Sequence, residues 1–171
     1  MKIKLPNIEI EKKYIIRKPD EKALSKMPEY TRSEITQIYL KSPDGITRRV
    51  RCRERSGNIT YTETKKVRID KMSAYEDERE ISYEEFVDLS SEKDEKTLPI
   101  IKTRHTFTYE GQLFEIDVYP KWKSTAIMET ELEARDKEVK FPEFITIIRE
   151  VTGDKNYSNA GMSRSFPDED K

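Results

Sequence analysis

The 171-residue sequence has little of several things: one cysteine, one histidine, one tryptophan and almost no net charge. Because Cys52 is the only cysteine, the chain cannot form an internal disulfide, which is typical of a reducing compartment. A formal net charge of -1 excludes the strong overall field that attracts nucleic acid or anionic membranes. No apolar run is long enough to span a membrane and no signal peptide is recognisable, so we expect a cytoplasmic protein without a membrane partner.

Charged residues, in contrast, are abundant. They make up 39% of the chain, and the mean hydropathy is -0.91, which leans toward disorder. Nine tyrosines, six phenylalanines and a regular alternation of apolar residues favour a folded domain instead. The length fits one domain without repeats or linkers. We expect that domain to cover residues 1–163, followed by a polar C-terminal tail at 164–171.

The stretch from residue 8 to 14 shows the pattern that recurs along the chain. Ile8 and Ile10 alternate with Glu9 and Glu11, so one face of a predicted strand carries charge. Similar alternation, with turn signals such as Glu110-Gly111 between segments, predicts about eight strands. These strands are expected at 8–14, 34–41, 47–55, 59–66, 76–83, 99–109, 112–119 and 126–134.

The sequence predicts short helices in three segments. Residues 19–24 begin with Pro19, which suits a first helical turn, and residues 83–91 follow Ser82, a good N-terminal cap. Residues 141–151 place apolar side chains at helical spacing, and Gly153 comes just after them. We therefore predict an α+β fold: an eight-stranded antiparallel β-barrel with short helices packed outside.

The charges are grouped by strand face, at i, i+2 spacing. The sets are Glu9, Glu11 and Lys13; Arg49, Arg51 and Arg53; Glu63 and Lys65; Glu78 and Glu80; Lys102 and Arg104; Glu115 and Asp117; and Glu129 with Glu131. The opposite faces are often apolar, so we expect the charged faces to line the barrel and the helices to cover its apolar outside. Arginine and lysine in a lumen suit a polyanion, while clustered carboxylates suit Mg²⁺ or Mn²⁺.

An ordered set of motifs resembles the CYTH superfamily, the triphosphate tunnel metalloenzymes, from about residue 7 to 162. The motifs that carry the resemblance are Glu9-Ile10-Glu11-Lys12-Lys13, Gln37-Ile38-Tyr39-Leu40, Arg49-Val50-Arg51-Cys52-Arg53, Lys65, Glu78-Arg79-Glu80, Lys102-Thr103-Arg104, Gly111 to Val118, Glu129-Thr130-Glu131-Leu132 and Val151 to Asn159. One Glu-x-Glu-x-Lys motif alone is common in solvated strands, whereas the ordered set is specific. The superfamily includes inorganic triphosphatases, thiamine triphosphatases and class IV adenylate cyclases.

The resemblance implies a tunnel that binds a triphosphate together with Mg²⁺ or Mn²⁺. The residues it implies for phosphate binding are Lys13, Arg49, Arg51, Arg53, Lys65, Lys102 and Arg104. The residues it implies for metal binding are Glu9, Glu11, Glu115, Asp117, Glu129 and Glu131. Glu9, Lys13 and Glu131 are placed in the catalytic step. Two registers stay open, namely Lys65 against Lys66 and Glu129/Glu131 against Glu131/Glu133.

The function implied is metal-dependent hydrolysis of a triphosphate, most simply inorganic tripolyphosphate. Two alternatives use the same lining: a class IV-type cyclase that converts ATP to cyclic AMP and pyrophosphate, and a protein that binds polyphosphate without turnover. A nucleic-acid stripe at residues 48–55 is a further alternative, but the acidic strands would repel that partner. We expect a small-molecule triphosphate ligand and no nucleic-acid partner, and we leave a homodimer open.

Three single residues have simpler interpretations. His105 lies on the strand face opposite Arg104, which predicts a structural role. Cys52 is expected to pack, and Trp122 is expected to cover a strand end, with stacking on an organic group as the alternative.

Overall fold

A computed structural model of the protein describes residues 7–169. Eight antiparallel strands form its barrel: β1 Ile8–Arg17, β2 Thr31–Leu40, β3 Thr47–Arg55, β4 Asn58–Arg68, β5 Ser73–Ile81, β6 Ile100–Tyr109, β7 Gln112–Val118 and β8 Thr125–Glu131. The strands follow one another around the sheet as β5-β4-β3-β2-β6-β7-β8-β1, and pairing of β1 with β5 closes the ring. The predicted fold class, an α+β protein built on a closed eight-stranded barrel, is confirmed.

Three short helices lie outside the barrel: α1 Glu21–Ser25, α2 Tyr83–Ser90 and α3 Asn159–Arg164. The side chain of Asp20 caps α1 by accepting from the Lys22 amide, and Ser82 caps α2 by accepting from the Glu85 amide. The predictions of α1, α2 and the Ser82 cap are confirmed.

The helix predicted at 141–151 is wrong. Its second half is a short strand, β9 Ile147–Glu150, which pairs with β1 from Tyr14 to Ile16. The reason lies in β1, because β5 pairs with only its first residues, Ile8 to Ile10, and leaves the rest of that edge open. A backbone edge of this kind selects an extended partner, and the β-branched run Thr146-Ile147-Ile148 accommodates that conformation.

The apolar faces of the strands point outward, as predicted, and the helices cover them. Leu24 of α1 joins a buried cluster with Phe107, Phe114 and Met128, whose side chains leave the outer faces of β6, β7 and β8. On the other side of the barrel, α2 packs over a second cluster around Val50 of β3. These two clusters leave the inner faces of the strands free to carry charge.

One end of the barrel interior is apolar. Ile15, Tyr39, Tyr119 and Ile127 point inward there and form a buried cluster with Met162 of α3. The segment predicted to be a polar tail adds to this end, since the Phe166 ring packs against the rings of Tyr119 and Trp122. The indole Nε1 of Trp122 donates to the Pro167 carbonyl at 2.8 Å. The charged cavity is therefore bounded by packed apolar side chains on one side.

Candidate functional site: the charged lumen

A cavity of about 950 Å³ occupies the barrel interior. The charged side chains that line it from the strands are Glu9, Glu11, Lys13, Arg49, Arg51, Arg53, Lys66, Arg68, Glu76, Glu78, Arg104, Glu115, Glu129 and Glu131. Each strand contributes its charged side chains from one face only, because successive side chains in a strand point to opposite sides of the sheet. The expectation that charge lines the barrel is met.

The inward side chains of β3 form a basic wall of Arg49, Arg51 and Arg53. Arg51 is buried and donates through Nε and Nη2 to Gln37 Oε1 at 3.0 and 2.7 Å. Burial, reinforced by the neighbouring cations Arg49 and Arg104, lowers the pKa of Arg51 to about 9. Within the described part of the chain, no carboxylate lies within 4.0 Å of Arg51 or Arg53. Two of the three arginines in the wall, Arg51 and Arg53, therefore carry positive charge without a paired carboxylate among the described residues, whereas Arg49 lies 3.9 Å from Glu76.

An acidic wall faces the arginines. It comprises Glu9 and Glu11 of β1 and Glu129 and Glu131 of β8. Four strand steps separate β3 from β8 in either direction around the ring, so the two walls lie opposite each other. An anion bound on the arginines would have carboxylates, and any metal they hold, on its other side.

The carboxylates of the acidic wall are crowded together. Glu11 pairs directly with Glu131 across β1 and β8, and Glu115 pairs with Glu129 across β7 and β8. Like charges placed opposite each other destabilise a sheet. The charge of Glu129, together with burial, raises the pKa of Glu11, while burial raises the pKa of Glu115.

Glu9 belongs to a second crowded pair. Burial and the facing carboxylate of Glu76 on β5 raise the pKa of Glu9 to about 8. The ammonium group of Lys66 partly compensates this negative charge, since its Nζ lies 3.7 Å from Glu76 Oε2 and 3.9 Å from Glu11 Oε1. A further cation near the Glu9 carboxyl would favour its ionised form.

One lumen carboxylate is already neutralised by the protein. Asp117 accepts two hydrogen bonds from Arg104, at 2.8 and 2.9 Å, and lies 2.8 Å from Lys102 Nζ. Burial opposes its charge, but these two cations hold its pKa well below the usual range. Burial also lowers the pKa of Lys102 to about 7. The arrangement suits Asp117 to fixing the positions of Arg104 and Lys102 better than to holding a metal.

Lys13 connects the lumen to the C-terminal segment. Its Nζ lies 3.1 Å from Glu129 Oε1 and donates to the Tyr157 carbonyl at 3.1 Å. Its backbone amide donates to the Thr152 hydroxyl at 3.0 Å. Lys13 therefore holds the segment 151–157 against the mouth of the cavity, and its ammonium group forms an ion pair with Glu129.

The donor set suits a divalent metal. Carboxylate oxygens are the ligands that Mg²⁺ and Mn²⁺ prefer, and the repulsion among Glu9, Glu76, Glu11 and Glu129 is the kind that a bound cation relieves. In residues 7–169, no three acidic, histidine or cysteine side chains already converge on one ligand point. Binding therefore requires rotation of flexible glutamate side chains, for which the cavity has room.

The structure decides both open registers. Thr64 and Lys66 point inward opposite Arg49 and Thr47, while Lys65 points outward and is exposed. The placement of Lys65 in the lumen is corrected, because the parity of β4 brings Lys66 to the lining instead. On β8 the lining carboxylates are Glu129 and Glu131, since the strand ends at Glu131.

Two lining residues of the strands, Glu76 and Arg68, were missed by the sequence reasoning. Glu76 continues the alternation of Glu78 and Glu80, and this signal in the sequence could have identified it. Lys155 and the turn at Gly153 also line the cavity. Only the chain path over the barrel reveals those two, because they lie outside any alternating strand.

The residues predicted to be structural are so placed. His105 lies on the outer face, 4% exposed, with Nδ1 2.7 Å from the Tyr30 hydroxyl. Trp122 is buried in the apolar end of the barrel. Among residues 7–169 there is no helix both long and apolar enough to cross a membrane.

The described residues thus form a closed antiparallel barrel whose lumen sets arginines against carboxylates. A sequence model of the CYTH domain matches residues 7–166, and the chain belongs to that family.

Solved structures agree with this assignment. The structure described as the inorganic triphosphatase NE1496 is 28% identical, covers 94% of this chain and 97% of its own, and has a TM-score of 0.57. The PH1819 protein from Pyrococcus horikoshii OT3 is 22% identical over 75% of this chain and 80% of its own, with a TM-score of 0.57. A putative adenylate cyclase from Vibrio parahaemolyticus is 13% identical over 74% and 79%, with a TM-score of 0.51. The last two show likeness of fold alone. No curated protein matches the sequence.

Proposed function

We propose that this protein hydrolyses inorganic triphosphate in its lumen, with a divalent metal ion held by the acidic wall. The observation that carries the proposal is the basic wall, whose cations Arg51 and Arg53 lack a carboxylate partner among the described residues while carboxylates crowd the opposite side. Such an arrangement is costly without a ligand and is neutralised by a polyanion with its cation. The description of a 28% identical structure as an inorganic triphosphatase supports the same reaction.

The reaction asks mainly for positioning and charge neutralisation, since phosphoryl transfer passes through a loose transition state. In the proposal, Arg49, Arg51, Arg53 and Lys66 bind phosphate oxygens from one side. Arg104 and Lys102 of β6, which Asp117 holds in place, would add positive charge from a neighbouring side of the lumen. The cations would fix the chain of phosphates along the lumen and stabilise the charge that develops on the leaving group.

The acidic wall has two tasks in this proposal. Glu9, Glu11, Glu129 and Glu131 would hold Mg²⁺ or Mn²⁺, which when bound supplies Lewis-acid polarisation of the phosphate oxygens. A carboxylate of the same wall, Glu131 or Glu9, would orient the attacking water and take its proton. Lys13 would keep Glu129 ionised, since their ion pair lowers the pKa of that carboxyl to about 2 against the effect of burial.

An inorganic substrate needs the fewest features beyond those on the lumen wall. Among the described lining residues, Tyr39 supplies the one aromatic ring, and it is 5% exposed and packed in the apolar cluster. That ring is therefore poorly placed to stack on a nucleobase. The described lining carries cationic side chains on several strands, which suit phosphate, and holds no comparable cluster suited to an organic end.

The test is a product-resolved assay of the purified protein with tripolyphosphate, ATP and thiamine triphosphate, each with Mg²⁺ and with Mn²⁺. We expect fast orthophosphate release from tripolyphosphate and slow turnover of the two organic triphosphates. The Arg53→Ala variant should lose at least 100-fold in kcat/KM, on the order of 3 kcal/mol. Arg48→Ala is the matched control, because Arg48 lies on the outer face of the same strand and pairs with Glu63 and Glu92.

Two outcomes would contradict the proposal. Cyclic AMP and pyrophosphate from ATP would make the protein a cyclase. Wild-type turnover in Arg53→Ala would remove the basic wall from the reaction.

A further inference from the structure

A row of threonines runs beside the basic wall. The inward positions of β4 directly opposite Arg53, Arg51 and Arg49 are Thr60, Thr62 and Thr64. We call these three residues the threonine row. The two strands thus pair an arginine with a threonine at three successive inward positions.

Two hydroxyls of this row have no partner. Thr62 Oγ1 and Thr64 Oγ1 are shielded from solvent and make no hydrogen bond to any described residue, and Thr64 is 1% exposed. A buried hydroxyl without a partner is destabilising, and valine would fill nearly the same volume without that cost. The fold alone therefore gives no reason for these hydroxyls.

The neighbouring arginines are incomplete in the same way. The Nε atoms of Arg49 and Arg53 are also buried and make no hydrogen bond to a residue between 7 and 169. The nearest carboxylate of Arg49 is Glu76, 3.9 Å away, a contact too long for a hydrogen bond. Four unused polar atoms, all able to donate, therefore lie on two adjacent strands facing the lumen.

We propose that the threonine row is part of the phosphate-binding surface, with the hydroxyls of Thr62 and Thr64 donating to phosphate oxygens of the substrate. This inference rests on the proposed function and adds neutral donors to its cationic ones. The threonines are not among the residues that line the cavity in the ligand-free structure, so the proposal requires the longer arginine side chains beside them to turn toward the anion and expose the hydroxyls. Each hydroxyl then donates a hydrogen bond to a phosphate oxygen that the adjacent guanidinium holds in place. The bound phosphate would thus accept from both hydroxyls and from both arginine Nε atoms.

The experiment measures binding and stability separately. Thr62→Val and Thr64→Val keep the shape and remove the hydroxyl, and Thr62→Ser and Thr64→Ser restore it. Thr36→Val is the matched control, because Thr36 points outward from β2, opposite Cys52. Calorimetry with tripolyphosphate, with and without Mg²⁺, gives Kd, and thermal unfolding without ligand gives Tm.

We expect each valine variant to bind tripolyphosphate about tenfold more weakly, the effect of one hydrogen bond to a charged group. Its ligand-free Tm should stay equal or rise, and the serine variants should recover most of the affinity. Wild-type affinity in both valine variants would overturn the inference. A fall in ligand-free Tm in the valine variants with recovery in serine would also overturn it, since the hydroxyls would then serve the fold.

The two proposals fail in different ways. If the wild-type protein binds no tripolyphosphate, the proposed function and this inference both fall. If the wild type binds but the valine substitutions change nothing, the proposed function stands and the threonine row is excluded from it. A wild type that binds without hydrolysing still gives the affinities that decide the inference.

Discussion

Arg51 is a cation that the ligand-free fold tolerates at a cost, and its replacement by methionine tests this directly. Burial and two neighbouring cations lower its pKa to about 9. Against about 12.5 for a free arginine, at 1.36 kcal/mol per pKa unit, the charge costs ~4–5 kcal/mol at neutral pH. The substitution also removes the two hydrogen bonds that Arg51 donates to Gln37 Oε1. Leaving that buried oxygen without a donor lowers the stability by about 1–3 kcal/mol.

The net expectation is that Arg51→Met stabilises the ligand-free protein by about 1–4 kcal/mol. For a domain of this size, that corresponds to an increase in Tm of roughly 2–16 °C. Function should move in the opposite direction. Tripolyphosphate at 100 times its Kd should stabilise the wild type by about 2.7 kcal/mol, and the variant should lose most of that stabilisation.

Differential scanning calorimetry with and without tripolyphosphate measures both effects. Arg48→Met is the control, because it removes an arginine from the outer face of the same strand, where Arg48 is paired with Glu63 and Glu92. It should not raise Tm, and it should keep the full ligand-induced shift. A ligand-free Tm below that of the wild type in Arg51→Met, together with an intact ligand shift, would refute the reasoning.

Two further predictions follow from the registers and the buried charges. Lys66→Ala should weaken tripolyphosphate binding about tenfold or more, whereas Lys65→Ala on the outer face should leave Kd unchanged, as measured by calorimetry; equal losses would contradict the β4 register. Burial lowers the pKa of His105, so the unfolded chain takes up the proton first, and His105 reduces stability as pH falls below about 6.5 until its folded pKa is passed. The difference in unfolding free energy between wild type and His105→Asn should therefore shrink from pH 7 to pH 5, as measured by urea unfolding, and a difference that is constant with pH would exclude this role.

Much of the site could be read from alternation alone. The inward sets on β1, β3, β6, β7 and β8 follow from parity, since a strand has only two faces and the apolar residues occupy the other one. Lys65 was assigned to the wrong face because Lys65 and Lys66 are adjacent, so a lysine lies on each face of β4. The apolar residues Ile59 and Tyr61 share the strand face of Lys65, and this signal would have assigned Lys65 to the outer face.

The prediction of a helix at 141–151 failed for a different reason. Apolar spacing in a short segment fits both a helix and a strand, and the decision came from the free edge of β1, which lies more than 120 residues earlier in the chain. No local signal in the segment reports whether such an edge is available.

The sequence by itself determined the eight barrel strands, most of their charged faces and the helices α1 and α2, because these depend on side-chain periodicity and local capping. Tertiary structure decided which charges meet. Glu9 faces Glu76 because β1 closes on β5. Arg51 has no carboxylate partner among residues 7–169 because β3 pairs with Gln37 of β2 and the threonine row of β4. The charge state of a lumen group depends on distances across the closed ring. Those distances exist only after the last strand has paired with the first.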